Sequence, residues 1–301
     1  MPCWLAYHSR DARGRSAKTC DITRVKFIFP LHGMTLALVL LTASAAAQNA
    51  YLGMDRNEYP GDDAMKALRG TFAFTGYWLN DPPGEDSDTW LGKRHSLESQ
   101  GYGFLLLFNG REYAYLKKSG NPAGVGKSDA ATAVQAARRE GFPTSAVIFL
   151  DQEQGGRMLE EQRAYIHAWV DGVTHGGYRA GVYCSGIPFR ESAGISVITA
   201  NDIRDHAGAR KIEFFISNDQ CGPSPGCVFP RNAPASSASG VAFAEAWQFA
   251  QSPRRPEMTA ACRQTYAEDG NCYPPGVSLT SGLHIDVDTA NSADPSHARA
   301  R

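Results

Sequence analysis

The chain has 301 residues, 43% hydrophobic and 20% charged, a globular balance that excludes a disordered chain or a fibre. Thirty basic residues against 31 acidic ones give a formal charge of −1. No Lys/Arg-rich block of the kind that neutralises a phosphate backbone is present, so nucleic acid is not an expected partner.

The only strongly apolar run lies near the N-terminus and is too short to span a bilayer comfortably, which disfavours an integral membrane protein. It reads as an export signal: Lys26 precedes Phe27-Ile28-Phe29, residues 36–41 form an apolar core, and Ala45-Ala46-Ala47 supply a small-residue cleavage site before Gln48. Residues 1–47 are thus read as an upstream segment and signal peptide. The polar stretch with Arg10, Arg13, Arg15, Lys18 and Arg24 is too long for a usual n-region, and a start at Val25 would leave a short basic one. From Gln48 onward the chain has 24 basic and 29 acidic residues, a net charge of −5. It would be secreted or periplasmic, with no stable membrane insertion after cleavage. Loop disulfides suit that compartment: Cys221 with Cys227 and Cys262 with Cys272 each close a short loop in Pro/Gly-rich surroundings, and Cys184 is left over.

One domain is expected over residues 48–291. In chain order the pattern predicts a strand at 51–55, a helix at 62–68, strands at 71–78 and 103–108, and a helix at 128–140 capped by Ser128 and closed by Gly141. A strand at 146–151, a helix at 159–173, a strand at 178–184 and a helix at 196–206 follow. Strands at 213–217, 244–249 and 284–288 complete a set of eight. Runs such as Phe104-Leu105-Leu106-Leu107 and Val147-Ile148-Phe149-Leu150 are continuously apolar, as in strands of a parallel sheet buried on both faces. Alternating strands and helices predict an α/β fold, a single (β/α) TIM-type barrel. It would be irregular, with helices missing between the last strands, because residues 218–243 and 250–282 are rich in Pro, Ser and Gly. Residues 292–301 lack a large apolar side chain and are expected to form a disordered tail.

In a parallel barrel the working groups sit at the C-terminal strand ends. Asp55 closes the first predicted strand, Asp151 the fourth with Glu153 just beyond it, and Asp286 and Asp288 lie in the last. Residues i and i+2 of an extended segment share a face ~7 Å apart, so Asp151 and Glu153 bring two carboxyl groups together. Crowded carboxyl groups resist double ionisation, which lets one hold a proton near neutral pH and act as a general acid. Glycoside hydrolysis needs such an acid and a second carboxylate at the anomeric centre. Acids at a helix N-terminus, favouring its dipole, would have the same sequence appearance. Tyr77, Trp78, Tyr183 and Trp247 fall near strand ends, where flat rings could stack on sugars or simply fill the core. Gln248 could hydrogen-bond a sugar hydroxyl or a loop backbone.

The series Gly53-Met54-Asp55, Leu150-Asp151-Gln152-Glu153, Gly181-Val182-Tyr183-Cys184-Ser185, Glu245-Ala246-Trp247-Gln248 and Ile285-Asp286-Val287-Asp288 resembles family 25 glycoside hydrolases, which are lysozyme-like. It resembles more closely the secreted glycoside-hydrolase-like domains that share their barrel. The resemblance implies a barrel with few helices after its late strands. It also implies Glu153 as general acid, Asp151 as its partner, and Asp55 and Asp286 as the acids of the first and last strands. In the lysozymes a sugar acetamido group is thought to assist attack, leaving the carboxylate a stabilising role. Gln152 departs from the apolar or aromatic residue usual there, and the loops after Trp78 and Asn218 are individual.

Other signals point nowhere. The segment from Gly120 to Ser128 has Asn121 where a phosphate loop needs its first Gly, and it reads as a loop ending at the Ser128 cap. Neither the histidines nor the cysteines have metal-ligand spacing, residues 286–291 lack the Gly and Glu of a calcium loop, and Ser185 lacks a Gly-x-Ser-x-Gly frame. No metal and no cofactor are expected. The sequence therefore predicts a carboxylate-based enzyme acting on a glycan, with peptidoglycan the natural substrate for an exported lysozyme-like protein. The alternative is a catalytically inactive glycan-binding barrel.

Overall fold

A computed structural model describes residues 49–219, 232–250, 283 and 285–299. The elements in order are β1 (Tyr51–Asp55), α1 (Asp62–Leu68), β2 (Phe74–Trp78), α2 (Arg94–Ser99), β3 (Gly103–Asn109), α3 (Tyr113–Ser119), α4 (Pro122–Arg139), β4 (Val147–Gln152), α5 (Glu160–His175) and β5 (Arg179–Ser185). A hairpin of β6 (Phe189–Ser192) and β7 (Ile195–Val197) follows, then α6 (Thr199–Asp205), β8 (Glu213–Ser217), β9 (Ala246–Ala250) and β10 (Asp286–Ala290). Eight strands close a barrel in the order β1-β10-β9-β8-β5-β4-β3-β2. This is the α/β TIM-type barrel that the strand and helix alternation predicted. Among the described residues, only a 3₁₀ turn at Ser236–Ser239 stands between β8 and β9 where a barrel helix would be usual.

Two large rings fill the lower barrel because glycines face them. A Cβ on Gly53 would lie 2.1 Å from the Phe74 ring and one on Gly181 2.3 Å from the Phe149 ring, so neither position admits a side chain. Outside the barrel, Tyr77, Trp90, Phe104 and Phe142 pack edge to face, and Phe108 meets Trp169. Cys184, the leftover cysteine, is a buried free thiol pushed upward in pKa by desolvation. The disulfides expected at Cys221–Cys227 and Cys262–Cys272 lie outside the described residues.

Four expectations are corrected. β10 is antiparallel to both β1 and β9, with Asp55 opposite Asp286 and Tyr51 opposite Ala290. Asp286 therefore opens its strand, and the reversal is what carries it to the same barrel mouth as Asp55. Helix α4 begins at Pro122, six residues before the expected cap at Ser128; Asn121 caps it by accepting from Gly124 N at 3.0 Å. The predicted helix at 196–206 starts at Thr199, because residues 195–197 pair with Phe189–Ser192.

The tail expected to be disordered is instead a strap, from Ser292 to Arg299. Ser296 N donates to Phe104 O at 2.9 Å, Leu106 N to Ser296 Oγ at 2.8 Å and Val147 N to Ser296 O at 2.8 Å; Asp294 Oδ1 accepts from Phe104 N at 2.9 Å. Register pairing of β3 with β4 starts only at Leu106 and Ile148. The strap satisfies backbone groups next to that point, work that needs hydrogen bonds and small residues more than apolar bulk. Within the strap, Ser296 and Ala298 are fully buried.

Candidate active site

Side-chain alternation decides which residues see the barrel interior. On β1, β4 and β10 it turns Asp55, Asp151, Asp286 and Asp288 inward, and it places Glu153 on the same side just beyond β4. A cavity of about 150 Å³ opens at the C-terminal mouth, lined by Asp55, Asp151, Glu153 and Asp286 together with Asn57, Trp78, Pro83, Leu107, Tyr183, Phe215 and Gln248. All four candidate acids, Tyr183 and Gln248 thus share one wall system, and among the described residues no Lys or Arg lines it. A hollow of about 660 Å³ bounded by Val170, Asp171, Arg210 and Lys211 shares none of these residues.

Tyr77 and Trp247, expected to bind substrate, do not line the cavity. Each is fully buried: the Tyr77 hydroxyl donates to Glu140 Oε2 at 2.5 Å, and Trp247 Nε1 donates to Asn218 O at 2.7 Å. The reason is strand parity, since Trp78 and Gln248 next to them face inward. Trp78 is held by a bond from Nε1 to Arg56 O at 3.1 Å. Asn57 and Phe215 carried no signal in the sequence, whereas Asp288 follows from Asp286 by the two-residue period.

A relay fixes the inner wall. The Tyr183 hydroxyl donates to Gln248 Oε1 at 2.7 Å, and Gln248 Nε2 donates to Asp55 Oδ2 at 3.0 Å. Burial pushes Asp55 up to about 6, against the pull of the Gln248 bond. Asp151 is raised well above the usual range, by desolvation first and then by the charges of Glu153 and Asp55. Its Oδ1 is buried without a hydrogen-bond partner among the described residues. Glu153 stands at the solvent-facing mouth and is also raised, by desolvation and then by Glu112. Asp288, deeper in, is raised by burial and by the charges of Asp55 and Asp286; it approaches Asp55 without a well-formed hydrogen bond. The arrangement is two-tiered: a wet carboxyl group able to hold a proton lies above dry ones poised to accept hydrogen bonds. Among the described residues no group of three or more His, Cys, Asp or Glu side chains is placed to hold a metal ion.

Fold and site together define a TIM-type barrel with carboxyl groups converging at its mouth. Residues 92–204 match the family model described as "Rv2525c-like, glycoside hydrolase-like domain". No curated protein matches the chain. Among solved structures, an uncharacterized B. stearothermophilus protein is 20% identical with a TM-score of 0.49, over 80% of this chain and 95% of that one. The Mycobacterium tuberculosis Tat-secreted protein Rv2525c, in complex with L-tartrate, is 14% identical with a TM-score of 0.47, over 80% and 95%. The Clostridium perfringens spore cortex lytic enzyme SleM is 14% identical with a TM-score of 0.48, over 81% and 68%.

Proposed function

We propose that the protein is an exported glycoside hydrolase that cleaves glycosidic bonds in a cell-wall or related glycan, with peptidoglycan the first substrate to test. The observation that carries this is the convergence of Asp55, Asp151, Glu153 and Asp286, from three separate strand ends, on one cavity. The glycoside-hydrolase-like match over residues 92–204 supports it, and the signal-like residues 26–47 support export. No helix among the described residues is long and apolar enough to cross a membrane.

Glu153 protonates the glycosidic oxygen as the bond to C1 breaks, and its raised pKa keeps the proton available. The acetamido oxygen of the same sugar attacks C1, and the unpaired Oδ1 of Asp151 accepts the acetamido N–H, orienting it. Water then opens the intermediate, returning its proton to Glu153. Asp55 and Asp286 hold sugar hydroxyls. Glu153→Gln should cut release of reducing ends from peptidoglycan by at least about a thousandfold while leaving Tm unchanged, since the residue is at the wet mouth. Full activity in that variant would exclude the assignment.

A second reading, glycan binding without turnover, draws on the burial that raises the pKa of Asp55, Asp151 and Asp288 and so disfavours their ionised forms. A cavity poor in ionised carboxylate stabilises an oxocarbenium-like state weakly. Binding to purified cell walls with no reducing ends released by the wild type would select it.

A further inference from the structure

We propose that the groove beside the acidic cavity is a second sugar-binding position, where one ring of a neutral or N-acetylated glycan stacks on Tyr115 while its neighbour sits among the acids. This rests on the proposed action on glycans and adds where the next sugar goes and which sugars are admitted.

The groove measures about 350 Å³ and shares Pro83, Asp151 and Glu153 with the acidic cavity, so a chain leaving one enters the other. Its outer wall carries Tyr115, which is 52% exposed. Solitary exposed rings are ordinary. This one differs in being backed by a fixed network. The Arg111 guanidinium lies 5.4 Å from the ring centroid, and Arg111 Nε and Nη2 donate to Asp129 Oδ2 and Oδ1, both at 2.9 Å. Asp129 is buried and also accepts the Tyr165 hydroxyl at 2.9 Å. A ring held this way from α4 and α5 loses little freedom on binding, which is what a stacking platform requires.

The rest of the groove suits a sugar. At Gly110 a Cβ would come within 2.3 Å of Asp151 O, so the floor between platform and acids stays bare. Gln154 is fixed through its Oε1, which accepts from Tyr113 N at 2.7 Å and Gln162 Nε2 at 3.1 Å, and its own amide hydrogens can be offered to a hydroxyl. Asp129 neutralises Arg111, leaving Glu112 to set the sign of the groove. That charge disfavours uronate or phosphorylated rings and admits neutral ones.

The test uses the Glu153→Gln chain, so that the probe is not consumed, and the β-1,4-linked tetramer of N-acetylglucosamine, with affinity measured by calorimetry. Adding Tyr115→Ala should weaken tetramer binding about tenfold, and Tyr115→Phe, which keeps the ring, should restore it. Undiminished binding after Tyr115→Ala would overturn the second position while leaving cleavage at Glu153 untouched. No tetramer binding by the Glu153→Gln parent would overturn it as well, and if the wild type also released no reducing ends, the proposed function would fall with it.

Discussion

At Asp288 neither carboxylate oxygen has a well-formed hydrogen bond among the described residues, and the side chain is wholly buried near Asp55 and Asp286. Unfolded, an aspartate gives up its proton near pH 4; folded, this one keeps it to much higher pH. Between those limits the native state binds the extra proton, so stability is full at low pH and falls as pH rises, by about 1.4 kcal/mol per unit. Asp55 acts with the same sign from about pH 4 to about 6. Half-buried His167, whose pKa is lowered by desolvation, opposes them weakly at acid pH. Asp288→Asn carries no proton to lose. It should match the wild type near pH 4 and exceed it in stability by about 1.4 kcal/mol for each unit above that, until the native group ionises. Thermal melts of the two chains from about pH 4 to 8 check this, and parallel curves would contradict it. The two misplaced aromatics belong to the same scale. Tyr77 beside Trp78 and Trp247 beside Gln248 cannot both face one side of a strand, so the period that found Asp151 and Glu153 could also have rejected them.

Among the elements, those missed in the sequence are short. Helices α2 and α3 have 6 and 7 residues, too few for a helical period to declare itself. The early start of α4 was written in Asn121-Pro122, a cap followed by a proline at the first helical position, but two later glycines in the helix masked it. Hydrophobic alternation reads the same in both directions, so the reversal of β10 had no local signal. The strap had none either, because Ser296 acts through backbone bonding to β3 and β4. Ser296→Ala would leave the buried Leu106 N–H without its acceptor and should cost about 1–3 kcal/mol in urea unfolding. An unchanged midpoint would show that the strap contributes nothing to holding the barrel.

For the whole molecule, eight strands and their alternation with helices were legible, because each rests on local periodicity and composition. Closure of the barrel then turned four acids separated by up to 231 positions into one lining. What stayed illegible was the depth of each acid, since nothing in the sequence records how much water reaches Asp151, Asp286 or Glu153. That depth assigns the chemistry: the wet Glu153 to give a proton, the dry acids to accept hydrogen bonds. The most direct measurement is a crystal of the Glu153→Gln chain soaked with the N-acetylglucosamine tetramer. Density should place a sugar ring against Asp55, Asp151 and Asp286, with a glycosidic oxygen within about 3 Å of the residue 153 amide. A tetramer bound elsewhere on the surface, with the acidic cavity holding only solvent, would contradict the account.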